Sequence, residues 1–224
     1  MSSATRSTGV GRRAVSGGLG ALVDPQTYKN VLYLFLAIPL GFFYHMLFGV
    51  GLIAGLVLSV VLVGVVILFG TLLAARVVAG FERQLANVLL DTDLRAYDDL
   101  EATDGTRSRL RAFLDAPSTW RAVGFLSLKV PIAIVAVLGL FLLASIASLL
   151  AAPLRYPTTA EFGEINGEPV TWAIETAPEA ALAGVLGAVG LIVFVHLANG
   201  VAYVCARICA ALVGEPAAAS ASDS

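Results

Sequence analysis

Residues 31–75 read VLYLFLAIPLGFFYHMLFGVGLIAGLVLSVVLVGVVILFGTLLAA and contain no Lys, Arg, Asp or Glu. Drawn out as one helix at ~1.5 Å per residue, this run would reach roughly 67 Å, over twice the ~30 Å hydrocarbon core of a bilayer. It therefore predicts two crossings joined by a reversal, placed near the glycines at 49–51. Residues 130–154 and 180–206 are also uncharged, and each has the length of one tilted span. The expected fold is an all-α integral membrane protein with four transmembrane helices, at about 31–49, 52–76, 121–151 and 180–207.

Composition agrees. Of the 224 residues, 58% are hydrophobic and 13% charged, and the mean hydropathy is +0.87, values of an integral membrane protein rather than a soluble domain. Residues 1–27 are expected to be a flexible tail, 28–214 the membrane domain and 215–224 a disordered tail. The glycines at 17, 18 and 20 break up the apolar stretch after Arg12 and Arg13, which argues against a cleaved signal peptide. Cys205 and Cys209 lie one turn apart and read as small packing residues. The two histidines, His45 and His196, are isolated in apolar runs, so no metal and no cofactor is predicted.

Charge sets the orientation. Thirteen of the fourteen Lys and Arg residues fall in the N-terminal tail, in the stretch from Arg76 to Lys129, or at Arg207. Only Arg155 falls on the other side. Basic residues concentrate on the cytoplasmic side of a membrane, so both termini and the 77–120 segment are expected in the cytoplasm of a multi-pass cell-membrane protein. Residues 152–179 form the extracellular loop, which carries Glu161, Glu164, Glu168, Glu175 and Glu179.

The chain also resembles itself. An offset of 92 aligns Tyr28-Lys29 with Trp120-Arg121, Tyr33-Leu34 with Phe125-Leu126, and Ile38-Pro39 with Val130-Pro131. An offset of 120 aligns Gly80 with Gly200 and Leu85-Ala86 with Cys205-Ala206. The four helices thus read as two parallel-repeat hairpins related by an axis along the membrane normal. Pro39 and Pro131 should kink their helices. Gly51 and Gly55, Ala183 and Gly187, and the series Gly184, Gly187, Gly190 are small-residue positions for close packing, within the chain or between copies in a homo-oligomer.

In the 77–120 segment, Phe81, Leu85, Val88 and Leu89 recur at helical spacing opposite Glu82, Arg83, Gln84 and Asn87, which predicts an interfacial amphipathic helix. The acidic stretch 91–104 is expected to be a mobile loop. A second amphipathic helix over 107–114 would present Leu110, Phe113 and Leu114, with Arg107, Arg109 and Arg111 meeting lipid head groups or a docking partner.

Two candidate sites emerge. Lys129 falls within the third span, where a charge costs on the order of 2.5 to 3.5 kcal/mol. It is expected to point inward and meet Asn199 at matching depth, with His196 and Tyr33 as neighbours; the alternative is that it snorkels to head groups. The external loop carries Asn166-Gly167 between apolar alternations, the signature of a two-residue β-hairpin turn. Its Glu161, Glu164 and Trp172, with Tyr156 and Phe162, would bind a cation or cationic ligand, or else form an interfacial cap.

The patterns at residues 28–41, 110–131 (LRAFLDAPSTWRAVGFLSLKVP) and 172–182 (WAIETAPEAAL) resemble the four-span putative sensor domain, a membrane input module found at the N-terminus of actinobacterial histidine kinases and in haloarchaeal proteins. The resemblance covers about residues 25–214 and implies sensing without implying a ligand. Only ten residues follow Gly214, so a signal would have to reach a separate kinase or regulator. The expected function is a non-enzymatic membrane sensor or signalling accessory whose partners are the bilayer and a cytoplasmic protein. The rival is a small permease or an accessory transporter subunit. No carboxylate pair, activated nucleophile or phosphate loop supports an enzyme, and nothing points to nucleic acid.

Overall fold

The computed structural model describes residues 20–97 and 106–216. After a single turn, α1 (Gly20–Val23), come the long helices α2 (Pro25–Val57) and α3 (Val63–Leu89). The short α4 (Thr106–Asp115) precedes α5 (Pro117–Arg155) and α6 (Ala177–Leu212). Helices α2, α3, α5 and α6 are each long and apolar enough to cross a membrane. Two small antiparallel sheets complete the described chain, β2 (Thr158–Ile165) with β3 (Glu168–Ile174) and β1 (Leu94–Arg95) with β4 (Glu215–Pro216). Large aliphatic and aromatic side chains such as Phe42, Ile53, Val66, Leu138 and Phe141 are exposed along these helices. That is the surface lipid covers, since soluble proteins rarely expose such an extent of apolar area.

The first reversal is not at 49–51. α2 runs through those residues and passes into a 3-10 turn (Leu58–Val61), and the chain turns at Leu62, whose φ is +62°. Gly51 and Gly55 are packing positions instead. A Cβ at Gly51 would collide with the Thr71 side chain, and one at Gly55 would lie 2.6 Å from Leu68 Cγ. Glycine in a buried helix face is tolerated because it lets the neighbouring helix come close, so a glycine pair in lipid is poor evidence for a turn. The helices also run on through Pro39 and Pro131.

The chain divides into two compact units. Unit 1 joins the described residues up to Val31 with Leu138–Val201. In it the hairpin turns at Asn166 and Gly167, both with positive φ, as the Asn-Gly pair requires. The register pairs Thr158 with Ile174 and Ile165 with Glu168, with an irregularity between Glu161 and Glu164. Ala160 and Ile174 pack with Ala152, Ala180 and Ala183, against partly buried Leu149 and Trp172. The start of α6 is capped reciprocally: Glu179 Oε2 accepts the N–H groups of Glu175 (3.0 Å) and Thr176 (3.1 Å), while the Glu179 N–H donates to Thr176 Oγ1 at 3.5 Å. Gly184, Gly187 and Gly190 face Pro153, Leu150 and Ile146, so these small residues are used for packing within the chain.

Unit 2 comprises Leu32–Val137 with the described residues from Ala202 onward. Residues 81–89 are not a separate interfacial helix but the last turns of α3. The buried face is only partly the expected one: Leu89 is buried, but Phe81 and Val88 are exposed, and Glu82 joins Ala75, Ala79 and Ala86 inside. Lipid is as apolar as a side-chain core, so bulk does not drive a residue inward there, and small side chains take the contact face.

Part of the expected mobile loop is ordered. The Asn87 amide donates to Leu94 O (3.0 Å) and accepts from Leu94 N (3.0 Å) and Thr92 Oγ1 (2.9 Å), after which β1 pairs with β4. Residues 98–104 lie outside the described residues, as do residues 1–19 and 217–224 of the two expected tails. The other parts of those tails have structure, in α1, the start of α2, and β4. The helix expected over 107–114 is present as α4, with Phe113 buried; the side chains of Arg107, Arg109 and Leu110 are outside the description.

Candidate functional site

Unit 2 brings one face of each long helix together. α2 contributes Tyr33, Ala37 and Tyr44, and α3 contributes Glu82. α5 contributes Phe125 and Lys129, and α6 contributes Cys205 and Cys209, all of them buried. Lys129 follows Ala122, Phe125 and Leu126 and precedes Ile132 and Ala136, so helical periodicity puts it among core positions. Room for its stem comes from Gly41, where a Cβ would lie 2.7 Å from Ala133 Cβ and 3.8 Å from Lys129 Cγ.

The Lys129 ammonium donates to Glu82 Oε2 at 2.7 Å, and neither side chain has exposed surface. It is 3.4 Å from the Tyr33 hydroxyl and lies 4.7 Å from the Tyr33 ring centroid and 5.8 Å from that of Phe125. Aromatic faces add cation–π attraction to the ion pair. The Tyr33 hydroxyl contacts Glu82 Oε2 at 3.5 Å and Cys209 Sγ at 3.7 Å. The cysteines are free thiols.

The cluster is not saturated. Among the described residues, Glu82 Oε1 and the Tyr44 hydroxyl are both buried without a hydrogen-bond partner. Buried polar atoms left unpaired cost free energy, so this is a polar centre with spare capacity inside an apolar surround.

Of the residues the sequence singled out, Lys129 and Tyr33 are together here. The expected pairing of Lys129 with Asn199 is replaced: Lys129 takes Glu82, a full counter-charge that an amide cannot match. Asn199 belongs to unit 1, where its amide donates to Thr27 Oγ1 (3.0 Å) and its Oδ1 accepts from Asn30 Nδ2 (2.8 Å). His196 is exposed, with Nδ1 2.8 Å from the Ile192 carbonyl of its own helix. Glu161 and Glu164 are exposed on the hairpin, and Trp172, on its second strand, is half-buried against the cluster of Ala152, Ala160 and Ile174. Glu82 was the residue missed. The signal for it was the run of small residues at Ala75, Ala79 and Ala86, which marks the packed face on which it lies.

Among the described residues, no group of three or more His, Cys, Asp or Glu could hold a metal. What the fold and this centre define is a multi-pass membrane protein with a fully enclosed ion pair among its spanning helices. The chain belongs to the family described as "Putative sensor", whose model matches residues 19–213. No curated protein and no solved structure matches it.

Proposed function

We propose that this protein is a non-enzymatic membrane sensor or signalling accessory that passes a membrane or extracellular stimulus to a separate cytoplasmic partner, a kinase or regulator. The observation that carries this reading is the enclosed Lys129–Glu82 pair. Ionisable residues within spans are expensive and mark working sites. A buried ion pair adds little stability over an apolar pair of similar volume, so its presence speaks for a working role. Glu82 engages Lys129 through one oxygen and leaves the other, like the Tyr44 hydroxyl, without a partner among the described residues. A rearrangement that gave each of these atoms a partner would be a second packing state for a stimulus to select. The family description, which names sensing, supports the same reading.

A two-copy organisation, if the halves are repeats, would fit the same reading. The buried face of α2, at Tyr33, Leu34, Ala37 and Tyr44, falls at an offset of 92 on Phe125, Leu126, Lys129 and Ala136, which are also buried. Gly41 meets Ala133, its own equivalent, as residues on a pseudo-two-fold axis do. Like-oriented hairpins with both termini in the cytoplasm would place the Glu161, Glu164 and Trp172 hairpin outside, as the surface that meets the stimulus.

Crosslinking in native membranes followed by affinity capture tests the reading. Recovery of a kinase or transcription regulator bound to wild type, and its loss or gain in Glu82→Gln, is the expected result. Solute flux in proteoliposomes containing this protein alone would overturn it in favour of a permease.

A further inference from the structure

A second polar feature of unit 2 is formed by α3, the start of α5 and the end of α6. A cavity of about 70 Å³ is lined by Arg76, Arg83, Tyr97 and Ser118, with Ala79 and Gly80 between the arginines on α3. Among the described residues no Asp or Glu lines it. Arg76 is held in place: its Nη1 donates to Thr119 Oγ1 at 3.1 Å, and its guanidinium lies 5.3 Å from the Phe113 ring centroid. Tyr97 is anchored through its hydroxyl to the Gly214 carbonyl at 3.3 Å, and the Arg121 guanidinium lies 4.8 Å from its ring centroid. Arg83 is half-buried and, among the described residues, makes no hydrogen bond or ion pair.

A half-buried guanidinium with no counter-charge among the described residues, facing a cavity with a second guanidinium and a hydroxyl, is an arrangement completed by an anion. Its five forked donors fit tetrahedral oxyanions in two-point contacts that an ammonium cannot reproduce. The volume admits a few waters or one phosphoryl group and is too small for a nucleotide. The α5 helix dipole, with its positive end at Pro117 and Ser118, adds to the attraction without being required.

We propose that this cavity is a phosphate-group site in which Arg83 is the principal ligand and Arg76 and Ser118 complete the contacts, filled by an anionic lipid head group or by a free phosphate. The inference is independent of the sensor reading, because it concerns binding alone and its readouts contain no signalling output.

The test uses the full chain in nanodiscs. In one arm, native mass spectrometry of phosphatidylcholine discs doped with phosphatidylglycerol counts retained anionic lipid. In the other, inorganic phosphate is titrated against thermal unfolding in pure phosphatidylcholine discs. One saturable anion per chain is expected, with affinity at least tenfold weaker in Arg83→Gln and unchanged in Arg111→Gln, which removes an exposed arginine outside the cavity. Retention in the first arm alone identifies the lipid as the source, and stabilisation in the second identifies free phosphate. No saturable binding in either arm, or equal loss in both variants, would overturn the proposal. Should Arg83→Gln fail to fold, Arg83→Lys is read instead: about a threefold loss supports the forked contact, and wild-type affinity overturns it.

Discussion

Lys129 Nζ and Glu82 Oε2 are 2.7 Å apart, and both side chains are wholly shielded, in helices that are otherwise apolar over most of their length. Removing one partner leaves an uncompensated charge, whereas removing both leaves an apolar contact. Lys129→Met and Glu82→Leu should each lower unfolding stability by about 3–5 kcal/mol, and the double variant should recover to within ~1 kcal/mol of wild type. Thermal or denaturant unfolding in detergent would measure the cycle; additive losses in the double variant would show that the two side chains are not coupled.

Close backbone approach makes a second prediction. A Cβ at Gly187 would lie 2.9 Å from the Leu150 backbone nitrogen, an atom that cannot move aside, whereas one at Gly200 would meet nothing within 4 Å. Gly187→Ala should cost about 1–3 kcal/mol through forced separation of the helices. Gly200→Ala, on the same helix, should be neutral or stabilise by up to ~1 kcal/mol through helix propensity. Equal effects at the two positions in the same unfolding assay would contradict the packing described here.

Asn199 and Thr27 are joined at 3.0 Å. Polar contacts between membrane helices are worth less than their isolation in lipid suggests, about 0.6 kcal/mol on average and up to ~1.7. A Thr27→Val and Asn199→Leu double-mutant cycle should return a coupling in that range. A coupling of zero would mean that Asn199 is satisfied through Asn30 alone.

Orientation is tested by labelling. In a background with Cys205 and Cys209 replaced by serine, single cysteines at Arg109 and at Trp172 should react with an impermeant maleimide from opposite sides of the membrane. Reaction of both from the same side would overturn the four-crossing topology, and reaction of Arg109 from outside with Trp172 from inside would invert it.

Much of this architecture was legible in the residues. The uncharged runs gave four crossings because helix length and bilayer thickness leave no other solution. Asn166-Gly167 gave the hairpin turn because few residue pairs accept two positive φ values. Lys129 was legible as a costly charge within a span, but the residues left open whether it turns inward to a partner or snorkels to the head groups.

The partner itself was not legible. Glu82 follows Gly80-Phe81 and precedes Arg83, a local context that reads as the solvated face of a surface helix, and only the packing of α3 against α2 and α5 turns it inward. Likewise, the uncharged run from 31 to 75 requires a reversal but has no charged residue, Asn or Asp to mark it and only Ser59 beside it, so the turn at Leu62 was settled by which residues pack, with Gly51 and Gly55 taken up by Thr71 and Leu68.

Hydropathy and backbone chemistry are properties of segments, and the sequence by itself determined what depends on them: the number of crossings, the β-hairpin and the presence of a costly embedded lysine. The tertiary structure decided which face of each helix is inward and which charges meet. In lipid both faces of a helix are equally apolar, so van der Waals fit between small residues, rather than hydrophobicity, chooses between them.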